Sequence, residues 1–260
     1  MSMNAEKKQS LLYRVIYWVV ERVYPKIDVV GTENLPDEAS VIVGNHAQLH
    51  GPLAGELYFP GKHYIWCAAE MMELKEVPAY AYWDFWRNKP KAVRWIYKMI
   101  SYVIAPLSVC IFNNAHTIGV YHDKRVVSTF KNTIVRLKEG ANVVIFPEHD
   151  APRDHILCEF QEGFVEVART YYKQTGKTLA FVPMYLAPTL HKMCLGKPIY
   201  FCPENPMKEE RGRICEELMT EISRMAVELP RHRVVPYNNL PKKAYVYNKE
   251  EVCTDEKAGC

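Results

Sequence analysis

The chain has 260 residues, 48% hydrophobic and 24% charged, with a formal net charge of +3. That length supports one large α/β domain or two small ones, and the composition excludes a disordered chain. The charge is too small to indicate nucleic-acid binding, while 17 Tyr and 5 Trp suit both a core and a membrane interface.

Residues 10–23 predict a helix that is apolar nearly all round and stopped by Pro25. Its apolar run between Arg14 and Glu21 is six residues with no small-residue cleavage site after it, too short for a bilayer span or a signal core. "KIDVVGTENLP" predicts a short strand and turn, and "SVIVGN" a fully buried strand. Pro52 suits the first turn of a helix opening near Gly51, which puts His46 and His50 on the connecting turn. "YIWCA" (64–68) predicts another strand, followed by an irregular aromatic region.

Residues 87–98 carry five basic side chains and no acidic one, interleaved with Trp95 and Tyr97 and preceded by Trp83, Phe85 and Trp86. The uncharged, largely apolar stretch 99–112 is fourteen residues with Pro106 inside, and reads as a buried or interfacial segment rather than a span. "TIGVY" (117–121) predicts a strand, 126–139 a helix closed by Gly140, and "NVVIFP" (142–147) a buried strand. A helix over 159–174, strands at "LAFVPMYL" and "KPIYF", and a long helix over 207–229 complete the pattern. Alternating strands and helices predict a single α/β domain with a mixed central sheet flanked by helices. The boundaries expected are a membrane-proximal amphipathic helix over 1–25, the α/β domain over 26–230, and a poorly ordered or surface-laid polar tail over 231–260.

The eight cysteines (67, 110, 158, 194, 202, 215, 253 and 260) form no CxxC pair and read as reduced, mostly buried thiols of a cytosolic protein, with Cys253 and Cys260 in the polar tail. His149, Asp150, Asp154 and His155 lack metal-ligand spacing, so no metal and no cofactor is expected.

Chemistry-bearing residues follow strands at four places: Asn45-His46, "YHDKR" (121–125), "FPEHDAPRDH" (146–155) and Pro183. Ligands of α/β sheets bind beyond the carboxyl ends of strands, so the first three are candidates for one crevice. A histidine there takes a proton near neutral pH, and His122, Lys124 and Arg125 suit a phosphate.

In this order the motifs resemble those of the glycerolipid acyltransferases typified by 1-acylglycerol-3-phosphate acyltransferase, over roughly residues 10–202. "VGTENLP…VIVGNH" is similar to the lead-in to an Asn-His motif with an Asp five residues after the His. "IGVYHDKR" resembles a strand ending at a phosphate-contacting Arg, "VVIFPE" a Phe-Pro-Glu-Gly motif, "EFQEGFVEVA" the segment after it, and "FVPMY" a motif around a Pro. The resemblance implies a glycerol-3-phosphate acyltransferase-like fold, with His46 as general base. An acceptor hydroxyl would then attack the thioester of acyl-CoA or acyl-carrier protein. Glu148 would shape the site, with Asn45, Phe146, Pro147, His149, Pro183 and either Arg125 or His122 meeting substrate. Gly51 stands where the resemblance puts Asp, leaving Glu148, Asp150, His50 or a backbone carbonyl to orient His46. The basic aromatic stretch and the first helix imply peripheral attachment to the cytosolic face of a membrane, with lipid and acyl donor as partners.

Overall fold

The computed structural model describes residues 9–87 and 89–249. Cys253, Cys260 and the remainder of the tail expected from 250 onward lie outside the described residues.

Eight strands form the main sheet. They are β1 (Asp28–Val30), β2 (Val41–Gly44), β3 (His63–Ala68), β4 (Thr117–Val120), β5 (Asn142–Ile145), β8 (Ala180–Ala187), β9 (Lys192–Leu195) and β10 (Ile199–Tyr200). Their order is β1-β9-β8-β2-β5-β3-β4, with β10 paired to β8. From β8 to β4 every neighbour is parallel, whereas β9 and β10 run antiparallel to β8. The central strands are buried on both faces, which is why they read as unbroken Val/Ile/Phe runs. Their side chains alternate between two cores: Val41, Val43, Val143, Ile145, Phe181 and Tyr185 point one way, and Ile42, Val144, Val182, Met184 and Leu186 the other.

Helices α5 (Val126–Lys138), α6 (Glu166–Thr175) and α7 (Met207–Glu228) cover the first face. In α7, Ile214, Leu218, Ile222, Met225 and Ala226 recur at helical spacing and all are buried. Helix α2 (His50–Tyr58) lies on the second face, where Ala54 packs and Phe59, just past the helix end, adds its ring. The mixed α/β architecture expected from the sequence is therefore present.

Three differences from the sequence expectation have physical causes. Residues 148–158, to which the sequence assigned no element, and the two after them form a hairpin, β6 (Glu148–Pro152) with β7 (Cys158–Phe160), so the helix expected from 159 starts as a 3-10 turn at Glu162. The irregular aromatic region and the apolar run are two packed helices, α3 (Val77–Trp86) and α4 (Arg94–Asn114). The last part of the basic stretch, from Arg94, and the apolar run thus share one helix, and Lys91–Asn114 is long and apolar enough, by length and composition, to cross a membrane. Its exposure is inverted: small Ser101, Ala105 and Ser108 are buried, while Trp95, Met99, Val103 and Leu107 on an i+4 ridge are exposed. The Ser108 hydroxyl donates to the Met71 carbonyl at 3.0 Å and fixes the buried side to the domain.

Residues 231–249 also differ from a loose tail. Val234 and Val235 are buried, one in each core, and Asn248 is fully buried. The Asn248 side chain accepts from the His232 N–H and donates to the Ala226 carbonyl, both at 2.8 Å. This segment is a strap that joins the two cores, with Val234 and Asn248 on the α7 side and Val235 and Tyr245 on the other.

Helix α1 (Leu11–Val23) is capped by the Ser10 hydroxyl, which accepts from the Tyr13 N–H at 3.1 Å. Only Tyr13 is buried, with its hydroxyl donating to Glu56, whereas Leu11, Leu12, Val15, Trp18 and Val19 are exposed. Its start is tied to the end of α4: Asn114 Oδ1 accepts from the Ser10 N–H at 2.7 Å.

Candidate functional site

Strands β2 and β5 are neighbours in register, with Val43 opposite Ile145. His46 and Glu148 each lie three residues beyond that pair, so the sheet delivers them to the same level at its carboxyl edge. There the His46 N–H donates to Glu148 Oε2 at 2.6 Å, and the Cys158 N–H from β7 donates to Oε1 at 3.1 Å. Glu148 is 4% exposed. Burial pushes its carboxyl up to about 7, against the two N–H donors that pull the other way. Glu148 thus fixes the backbone of the His46 turn and does not touch the imidazole through the bonds it makes.

The turn itself is strained, because Ala47 (φ 45°) and Gln48 (φ 58°) both adopt left-handed backbone without being glycine. Such geometry persists only where the surroundings impose it. Asn45 imposes it on one side: its amide donates to the Leu186 carbonyl at 3.0 Å and its oxygen accepts from the Leu186 N–H at 2.7 Å. Expected to meet substrate, Asn45 instead pins β2 to β8, both ends of its amide being engaged with backbone. Gln48 is held on the other side by the strap, donating to the Asn238 carbonyl at 3.1 Å and accepting from the Tyr245 hydroxyl at 3.3 Å.

The His46 imidazole packs against two rings, Phe146 at 5.6 Å and Tyr237 at 5.7 Å between centroids, both edge-on. Its Nδ1 is buried with no hydrogen-bond partner. Burial holds its pKa down at about 4, with the Gln48 backbone acting in the opposite direction. The ring is therefore neutral at pH 7 and chemically able to accept a proton.

Gly51 belongs to the same arrangement. A Cβ there would lie 2.5 Å from the His46 carbonyl oxygen and 2.8 Å from Phe146 Cε1. No room exists for a carboxylate at this position, since the Phe146 ring and the turn's own backbone fill it. Of the other orienters considered, Asp150 pairs with Arg87 at 3.6 Å on the surface, and His50 is the first residue of α2, with Nδ1 2.9 Å from the Tyr24 hydroxyl.

The remaining sequence candidates divide. Phe146 and Pro147 lead from β5 into Glu148 and lie at the site; His149 follows it, its Nδ1 3.4 Å from the Ala151 N–H. Pro183 does not join them. It lies within β8 opposite Val43, between the residues that pair with β10 and those that pair with β9, where it packs in the sheet interior. His122 and Arg125 follow β4, which β5 and β3 separate from β2, so about 14 Å of sheet lies between the two strand ends. Both are exposed; Arg125 stacks over Tyr121 at 4.4 Å and its Nε donates to both Asp123 oxygens, at 3.1 and 3.0 Å. Among the described residues no group of three or more His, Cys, Asp and Glu side chains is arranged to hold a metal.

Tyr237 and Gln48 were not anticipated from sequence. The signal available was the apolar "VVPY" within an otherwise polar segment, since two adjacent valines and an aromatic ring favour burial.

Comparison with known proteins returns no matching protein-family model and no match among curated proteins. Among solved structures the chain is similar to the 1-acyl-sn-glycerophosphate (LPA) acyltransferase PlsC from Thermotoga maritima, at 16% identity and a TM-score of 0.47, over 84% of this chain and 83% of that one.

Proposed function

We propose that the protein is an acyltransferase that moves a fatty acyl group from a thioester, acyl-CoA or acyl-carrier protein, to a hydroxyl of a lysophospholipid or related glycerolipid. The observation that carries this reading is the meeting of His46 and Glu148 at one strand edge, through the 2.6 Å bond between two motifs about a hundred residues apart. In the reaction the neutral His46 imidazole takes the acceptor's hydroxyl proton as its oxygen attacks the thioester carbonyl. The tetrahedral adduct then collapses with cleavage of the C–S bond. The imidazolium returns the proton to the departing thiolate, so no covalent acyl-enzyme forms.

The acceptor and its product are lipids, and the exposed apolar residues of α1 and α4 support attachment to a membrane surface. Trp83, Trp95, Arg87 and Lys89 sit beside that surface, with Arg87 stacked over Trp83 at 4.3 Å and Lys89 over Tyr97 at 5.8 Å. Apolar rings beside cations suit an anionic headgroup layer. These features support peripheral attachment, for which we propose the cytosolic face of a membrane.

One observation favours a second reading, acyl transfer to an acceptor without phosphate. Asp84 and Asp150 stand close enough to Tyr237 to raise its pKa after burial has done so, and Asp150 likewise acts on Asp84, whereas Arg125 is held by Asp123. Two carboxylates therefore lie beside Tyr237, with Arg87 paired to Asp150 at 3.6 Å. Assay of the wild-type protein with labelled thioesters of both donor types, over phosphorylated and unphosphorylated acceptors, separates the two readings. Turnover with lysophosphatidate supports the first; turnover with unphosphorylated acceptors alone supports the second; liposome binding with no turnover at all contradicts both.

A further inference from the structure

We infer that Tyr237, on the C-terminal strap, is a positioning residue for His46, forming with Phe146 an aromatic clamp that orients the imidazole in place of a hydrogen-bonded carboxylate. The inference rests on the acyltransferase reading for its catalytic consequence, but the clamp itself is geometric.

The imidazole has few other restraints. Nδ1 has no partner, and the Glu148 carboxylate is engaged by two backbone N–H groups. Besides the Gln48 backbone, which favours its protonated form, what confines the ring is packing: Phe146 meets it at an interplanar angle of 74° and Tyr237 at 84°. Edge-to-face ring contacts at such separations have a preferred geometry and resist rotation about the side-chain bond.

Two glycines make the seat for the Phe146 half. A Cβ at Gly51 would approach Phe146 Cε1 to 2.8 Å, and one at Gly44 would approach it to 3.4 Å. Any larger residue at Gly51 would displace the ring that packs on His46. The Tyr237 half is carried by backbone rather than by chance contact. Val234 and Val235, two to three residues earlier, are buried in the two cores, and Asn238, the next residue, accepts through its carbonyl from Gln48. Gln48 is itself part of the strained turn that presents His46, so the strap grips the turn and the ring together.

Tyr237 on the strap and Phe146 after β5 pack on the imidazole, Nδ1 is buried beneath them while the residue as a whole is half-buried, and Glu148 reaches only the backbone N–H of His46. Opening the clamp therefore changes two properties at once: the orientation of the base and its hydration. A purely structural tyrosine would alter stability without moving the titration of His46.

The test is NMR titration of the His46 imidazole in the full chain, assigned by comparison with His46→Gln, in wild type, Tyr237→Ala, Tyr237→Phe and Tyr237→Leu. Tyr237→Ala should raise the His46 midpoint by about one pH unit or more as water enters. It should also lower kcat by about 10- to 100-fold, with KM for the thioester nearly unchanged. Tyr237→Phe, which keeps the ring, should recover both. Tyr237→Leu keeps apolar bulk without a ring face and replaces the alanine variant if that does not fold; it should lower kcat while leaving the midpoint low. An unchanged midpoint in Tyr237→Ala, or a phenylalanine variant as impaired as alanine, would overturn the clamp. The titration needs no turnover, so a protein inactive on every acceptor removes the acyltransferase reading while the clamp is still decided by the midpoints.

Discussion

Glu148 Oε2 accepts the backbone N–H of His46 at 2.6 Å, linking the ends of two adjacent parallel strands. Glu148 is buried and His46 half-buried, and their proton affinities shift in opposite directions, Glu148 up to about 7 and His46 down to about 4. The raised Glu148 pKa contributes stability that is full below its unfolded value near 4.5 and is lost as pH rises through about 7. The lowered His46 pKa contributes stability that is full above its unfolded value of 6.5 and is lost as pH falls through about 4. Over the shared window the two largely offset each other. Glu148→Gln should unmask the His46 slope, so the variant loses up to about 3 kcal/mol relative to wild type between pH 7 and 4.5. Urea denaturation across that range reads it; parallel slopes in the two proteins would contradict the assignment.

The pH dependence of catalysis follows from the same burial. With His46 protonated only below about 4, kcat/KM should hold level down through pH 6 and fall on an acid limb well below the usual histidine range. A rate profile measured at constant ionic strength checks this. A limb centred near 6.5 would mean that the imidazole is open to water in the free enzyme.

Gly51 was legible in the sequence as a departure from the acyltransferase pattern, but not the reason for it. A missing side chain can leave a vacancy or can mark a close approach, and sequence does not distinguish these. Here the backbone carbonyl of His46 and the Phe146 ring occupy the space. Gly51→Ala is expected to destabilise the fold by about 1–3 kcal/mol through overpacking. Gly51→Asp should lower rather than raise acyl transfer, since it displaces Phe146. Thermal denaturation and the thioester assay read the two outcomes.

The strands were readable because buried parallel strands are unbroken apolar runs: Val41–Gly44 and Asn142–Ile145 fall inside segments expected from sequence, and Ala180–Ala187 runs one residue past its expected segment. Helix α4 was not, because its exposed ridge is apolar and its buried side is Ser and Ala, the reverse of the pattern that marks a core-facing helix. Pro183 was placed with the site because it stands in a motif-like segment, yet a strand end and a strand middle look alike without register. Tyr237 escaped because the contact between the strap and the His46 turn spans nearly two hundred residues, and no local pattern reports so distant a pairing.

The apolar ridge of α4 gives a membrane prediction. Met99→Glu together with Val103→Glu should weaken co-sedimentation with anionic liposomes by about tenfold or more while leaving the fold intact, since both side chains are exposed at 60% and 77%. Far-ultraviolet circular dichroism controls for folding. Unchanged liposome binding would move the attachment site away from α4.

The central claim is that His46 is the base, and its most direct measurement is acyl transfer from a radiolabelled thioester by His46→Ala against wild type, with liposome binding and folding verified in both. The account predicts that turnover falls by at least about a hundredfold, within the range typical of a lost general base. Transfer by the alanine variant at a rate close to wild type would contradict it.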